Sequence, residues 1–132
     1  MTNNAPEFYE APAVHIYVVP PVSEKMLNPI LWGLEEEGIP ARMEEKGSGG
    51  AVVLAKSAAS GSMLNVGIGI IQNEVVLHHR DLSPQTPLFV LSSKECSRTN
   101  LRRIGANAAR LVKGNPLLVP DDLLAPEMCQ LP

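Results

Sequence analysis

The sequence predicts an α/β protein: a three-layer α/β/α sandwich whose mixed five-stranded sheet is mostly parallel, with one antiparallel strand supplied by a hairpin. Three observations carry this. The run "AVHIYVV" (13–19) is apolar on both faces, as a strand covered on both sides must be, and "LNVGIGII" (64–71) is a second buried strand. Stretches of helical period alternate with strands, the order that builds βαβ units. The segment "QNE" (72–74) then separates two β-branched runs by a turn short enough for a hairpin.

"AVHIYVV" is the first strand, and "PPV" (20–22) ends it. Two starts are open for the next element, a helix. Ser23 can cap it, which places Pro29 inside the helix as a kink. Alternatively Asn28 is the cap and Pro29 the first helical residue, where a missing N–H is harmless. Gly38 and Pro40 stop it in either case. "ARMEEK" (41–46) is short and polar, suited to a sheet edge, and "GSGG" (47–50) leads into a helix over "AVVLAKSAAS" (51–60).

In the next strand Leu64, Val66, Ile68 and Ile70 share one face, and Asn65, Gly67, Gly69 and Ile71 the other. "VVLHHR" (75–80) returns antiparallel, and "PLFVLSS" (87–93) is the last strand. Ser92 and Glu95 form a capping-box pattern for the last helix. From Asn100 on, Leu101, Ile104, Ala108, Leu111 and Val112 recur at helical spacing, and Gly114 with Pro116 closes that helix. Residues 13–117 thus form a single domain, with a disordered lead-in over 1–12 and a proline-punctuated tail over 118–132.

Composition narrows the function. Of 132 residues, 45% are hydrophobic but only 4% aromatic, so the core is aliphatic. A net charge of −3 argues against a general nucleic-acid binder. No apolar run approaches the roughly 20 residues of a membrane span, and "MTNNAPEFYEAPA" has neither the cationic start nor the apolar stretch of a secretory signal. Cys96 and Cys129 are far apart and make neither a zinc motif nor a disulfide framework. The expected setting is therefore intracellular and reducing.

Chemistry-bearing motifs are sparse. "VGIGII" lacks a third glycine and lies within a strand, so it is no dinucleotide fingerprint; close approach of a helix accounts better for Gly67 and Gly69. "GSGG" lacks the Lys-Ser/Thr of a phosphate loop and reads as a plain flexible connection. His78 and His79 are strand neighbours pointing to opposite faces, and His15 stands alone in a core strand, so no chelate forms. No nucleophile has a base at a recognised spacing. The basic cluster of Lys94, Arg98, Arg102, Arg103, Arg110 and Lys113 reads as a solvated face or a docking surface, with Arg110 and Lys113 favoured by the negative end of their helix.

The sharpest anomaly is "LWGLEEEGIP" (31–40). It sets Glu35, Glu36 and Glu37 at the end of a helix where carboxylates are disfavoured by about 0.3–1 kcal/mol each. Leu27, Ile30, Leu31 and Leu34 define the core face of this helix. Glu36 points away from that face, and Trp32 lies one turn earlier on the same exposed ridge. Either Trp32 is an interface anchor, or it tucks beneath the lead-in or the tail while the glutamates confer solubility. On the interface reading, a lone carboxylate awaits an arginine or a metal held by a partner.

Together "LWGLEEEGIP", "LNVGIGI" and "LRRIGANAARLVKGNPL" resemble the small subunit of diol/glycerol dehydratase-reactivating factors over Ala13 to Leu117. Pro29 is a departure from the usual pattern of the first block. The medium subunit of adenosylcobalamin-dependent dehydratases shares that fold. The resemblance implies a non-catalytic, chaperone-like role in the cytoplasm or a bacterial microcompartment. The implied partner is a large, actin-like ATPase subunit that holds Mg²⁺ and ATP or ADP. Contact with a dehydratase large subunit would be transient, releasing damaged cobalamin by exchange of subunits. No cofactor is implied for this chain alone. By matching position, Glu36 would complete the Mg²⁺ site on the large subunit, which makes Trp32 and Glu36 the expected partner-binding residues. Two other readings remain: a shortened dehydratase medium subunit touching adenosylcobalamin, and a stand-alone nucleotide or metabolite binder built on "GSGG".

Overall fold

A computed structural model of the chain describes residues 11–118. Most of the expected lead-in, nearly all of the tail, and Cys129 lie outside the described residues.

Strand β1 (Val14–Val19), an interior strand of the sheet, leads to helix α1 (Glu24–Glu36). The Ser23 hydroxyl accepts from the Met26 N–H at 3.3 Å, which settles the helix start: Ser23 is the cap and Pro29 lies inside the helix. At the far end Gly38 adopts φ +78°, Gly38 N–H reaches the Glu35 carbonyl and Ile39 N–H the Leu34 carbonyl. This paired closure needs a left-handed residue, which glycine supplies without strain.

Strand β2 (Ala41–Glu45) pairs parallel to β1 and is exposed along its whole length, as a polar edge strand should be. Helix α2 (Ala51–Gly61) crosses to strand β3 (Val66–Ile71), which lies parallel to β1 on its other side. The hairpin brings back β4 (Glu74–His79) antiparallel, and β5 (Phe89–Leu91) pairs antiparallel to β4. The sheet order is β2-β1-β3-β4-β5, with β4 alone reversed. The Ser92–Glu95 capping box forms, but it closes only a single 3₁₀ turn (Ser93–Glu95). Ser97 then caps helix α3 (Arg98–Lys113) by accepting from Asn100 N–H at 3.1 Å.

Helices α1 and α3 share one face of the sheet, over Ile16, Ile68, Leu77 and Leu91, with Ile30, Leu34, Leu101 and Ile104 filling the layer. Helix α2 covers the opposite face through Ala51 and Ala55. There the expected role of the strand glycines holds. A Cβ on Gly67 would lie 2.1 Å from the Ala59 nitrogen, and one on Gly69 2.4 Å from the Ala51 carbonyl oxygen. The other two helices meet by the same device. A Cβ on Gly33 would fall 2.1 Å from the Arg102 carbonyl oxygen, and one on Gly105 1.9 Å from that of Ile30. This contact widens the buried arc of α1 beyond the expected leucine face. Met26, Pro29 and Gly33 are buried with Ile30 and Leu34, while Leu27 and Leu31 are half-buried.

Candidate functional site: the exposed ridge of α1 and its arginines

The backbone contact between α1 and α3 sets their side chains rung against rung. Trp32 and Glu36 are one turn apart on α1; Arg98 and Arg102 are one turn apart on α3. The Arg98 guanidinium lies 5.3 Å from the Trp32 ring centre, within cation–π range. Arg102 grips Glu36 at two points, Nε donating to Oε1 at 3.1 Å and Nη2 to Oε2. Both expected ridge residues face solvent: Trp32 is 38% exposed and the Glu36 side chain 48%. The hydrogen bond to Glu36 raises Arg102 further above its usual pKa, so this guanidinium stays charged.

Glu37 is held differently. Lys113 Nζ donates to both its Oε1 and its backbone carbonyl at 2.9 Å, and Arg110 Nε to Oε2 at 3.2 Å. Its side chain is only 18% exposed. Two of the three acids at the unfavourable end of α1, Glu36 and Glu37, are therefore answered by cations from another helix, which supply the missing positive charge across the interface. The basic cluster is not simply a solvated face: Arg102, Arg110 and Lys113 are tied to α1.

The Lys113 hydrogen bond, followed by the charge of Arg110, holds the Glu37 carboxyl below its usual pKa. A depressed carboxylate stabilises the fold fully above its unfolded-state pKa and loses that contribution as pH falls through the folded value. Urea unfolding is thus expected to show stability declining from about pH 5 downward. Glu37→Gln should flatten that acid limb; an unchanged limb means the clamp contributes nothing.

The other singled-out residues are structural. His78 is fully buried, accepting from His79 N–H at Nδ1 (3.0 Å) and donating from Nε2 to the Pro84 carbonyl (3.3 Å). His15 is also buried, its Nδ1 without a hydrogen-bond partner. The Cys96 thiol donates to the Asn73 carbonyl, and burial, with Glu95 and Glu74 nearby, pushes its pKa up to about 11, the opposite of an activated nucleophile. Among the described residues no group of three or more His, Cys, Asp or Glu could hold a metal, and no helix is long and apolar enough to cross a membrane. Glu36 fits a hard cation only as one oxygen donor among ligands supplied by another molecule.

Sequence reasoning placed Trp32 and Glu36 on one ridge and missed the arginines that cover them. The signal was present, since Arg98 and Arg102 repeat the same one-turn spacing. Periodicity, however, does not say which helix lies beside which.

Comparison with known proteins agrees with this architecture. The family model described as dehydratase medium subunit matches residues 11–118. The small subunit of the diol dehydratase-reactivating factor of Klebsiella michiganensis is 40% identical over 108 residues, 82% of this chain and 85% of that one. A solved glycerol dehydratase reactivase superposes with a TM-score of 0.79 at 36% identity, over 84% of this chain and 100% of the other. The structure of diol dehydratase-reactivating factor complexed with ADP and Mg²⁺ gives 0.77 at 38% identity, over 83% and 100%. With fold, sequence and length in agreement, this chain belongs to the dehydratase medium-subunit family, among the small subunits of the diol/glycerol dehydratase-reactivating factors.

Proposed function

We propose that this chain is the non-catalytic subunit of a chaperone-like reactivase, partnered by a large actin-like ATPase subunit that carries Mg²⁺ and ATP or ADP. Because it shares a fold with the dehydratase medium subunit, it can take that subunit's place on an adenosylcobalamin-dependent diol or glycerol dehydratase. Damaged cobalamin leaves through the resulting opening, and ATP hydrolysis on the large subunit resets the complex. The chain works in the cytoplasm or within a bacterial microcompartment.

The observation that supports this best is the solvent-facing Trp32–Glu36 ridge on a chain that the family model matches over residues 11–118. When bound, Mg²⁺ supplies a hard positive centre that takes oxygen ligands. From this chain Glu36 offers a carboxylate to it, and Trp32 offers an amphipathic ring that loses water on docking.

Glu36→Gln keeps the shape and removes the charge. It should weaken assembly with the large subunit about tenfold at limiting Mg²⁺, as read by calorimetric titration, while the melting temperature of the isolated subunit stays put. Equal affinity for both proteins at limiting Mg²⁺ removes Glu36 from the metal site. The family match leaves a second reading, a short dehydratase medium subunit that contacts adenosylcobalamin. Permanent co-purification with a dehydratase large subunit would select it.

A further inference from the structure

Arg102 uses two donors on Glu36, so both carboxylate oxygens are engaged within the isolated chain. A cation approaching Glu36 finds only the outer lone pairs open, and binding there sets it a few ångströms from a positive guanidinium on the same carboxylate. Guanidinium and metal therefore compete for one carboxylate.

The surroundings sharpen the competition. Arg98, Arg102, Arg103 and Arg110 line the depression that contains Glu36 and Glu37. A bare divalent cation meets net positive charge there. A cation already seated on a partner arrives with that partner's oxygen ligands, whose negative charge offsets the arginines. The two acids also differ in how firmly they are held. Glu37 is largely covered and bound by both Lys113 and Arg110, whereas the Glu36–Arg102 pair is half exposed on both sides, 48% and 54%. Exposed pairs contribute little and open readily. The Glu37 clamp can thus hold the end of α1 in place while its neighbour changes partner.

We propose that Arg102 is a built-in competitor: it masks Glu36 in the free subunit, is displaced when Glu36 turns to a divalent cation held by the large subunit, and recaptures Glu36 on release. The proposal rests on Glu36 being a ligand to the large subunit's metal. Arg102 then sets how tightly the subunit is held, keeping the bound state reversible as subunit exchange requires. It also suppresses futile association of Glu36 with stray cations.

The test uses the full-length subunit and the purified large subunit with ADP and Mg²⁺, comparing wild type, Arg102→Gln, Glu36→Gln and the double variant. Arg102→Gln should tighten the complex about two- to fivefold at limiting Mg²⁺, the range an exposed ion pair allows. It should also slow dissociation, and both effects should vanish in the Glu36→Gln background. Arg102→Lys, which retains charge but not the two-point grip, should fall between wild type and Arg102→Gln. Unchanged or weaker binding by Arg102→Gln, with Glu36→Gln still impaired, overturns the competitor and leaves the metal role of Glu36 standing. Unimpaired Glu36→Gln overturns both. A melting curve for each variant confirms folding; should Arg102→Gln melt early, Arg102→Lys decides by the same criterion.

Discussion

Gly105→Ala is expected to destabilise the isolated subunit by about 3 kcal/mol, the upper range for overpacking a tight contact. The new methyl would sit 1.9 Å from the Ile30 carbonyl oxygen and 2.8 Å from its carbon. Both are backbone atoms, which cannot step aside as a side chain can. On an open helix face the same change would help by about 1 kcal/mol, because alanine is the better helix former. The sign therefore reports the contact alone. A fall in thermal midpoint of more than about 10 °C is expected for a domain of this size. Gly47→Ala, where nothing lies within 4 Å of the added carbon, serves as the control. If Gly105→Ala melts with the wild type, α1 and α3 do not touch through their backbones in solution. Binding of the large subunit should suffer as well, since separating the helices breaks the register between Trp32 and Arg98 and between Glu36 and Arg102.

Trp32→Ala is expected to do the reverse, sparing the fold and weakening assembly. The ring is 38% exposed, and its charged neighbour, Arg98, is itself at the surface. Truncation should cost the isolated chain about 1 kcal/mol, the size of an exposed cation–π contact. An aromatic anchor at an interface contributes about 2 kcal/mol or more on truncation, a loss of roughly 30-fold in Kd for the large subunit. Surface-immobilised binding at saturating Mg²⁺ measures this apart from the Glu36 contribution. Normal affinity combined with a lowered melting point would return Trp32 to the core and leave the interface without its anchor.

How far the sequence alone reaches can be judged from particular residues. The apolar runs around Ile16 and Ile68 set the central strands, and Gly67 and Gly69 were legible as the site of a close helix because strand alternation places both on one face. The C-terminal helix ends were legible where a left-handed glycine closes them, at Gly38 and Gly114, whereas the Ser97 cap of α3 was not read. Two starts for α1 were equally good locally; packing decided, because Met26 at the front of the helix belongs to the core. What stayed hidden was relational. Nothing local to Gly33 or Gly105 says that they meet, or that Glu36 and Glu37 find Arg102, Arg110 and Lys113. Those pairs are more than 60 positions apart in the chain and exist only once both helices lie on one face of the sheet.

The placement of the glycines has a mechanical consequence. Gly67 and Gly69 weld α2 to the sheet, and Gly33 and Gly105 weld α1 to α3, so the domain consists of two stiff plates. Between them lies a layer of isoleucine, leucine and valine side chains, where contact is made by side chains and not by backbone. A pull applied to Trp32 or Glu36 is expected to move α1 and α3 together, with any slip taken up in that aliphatic layer.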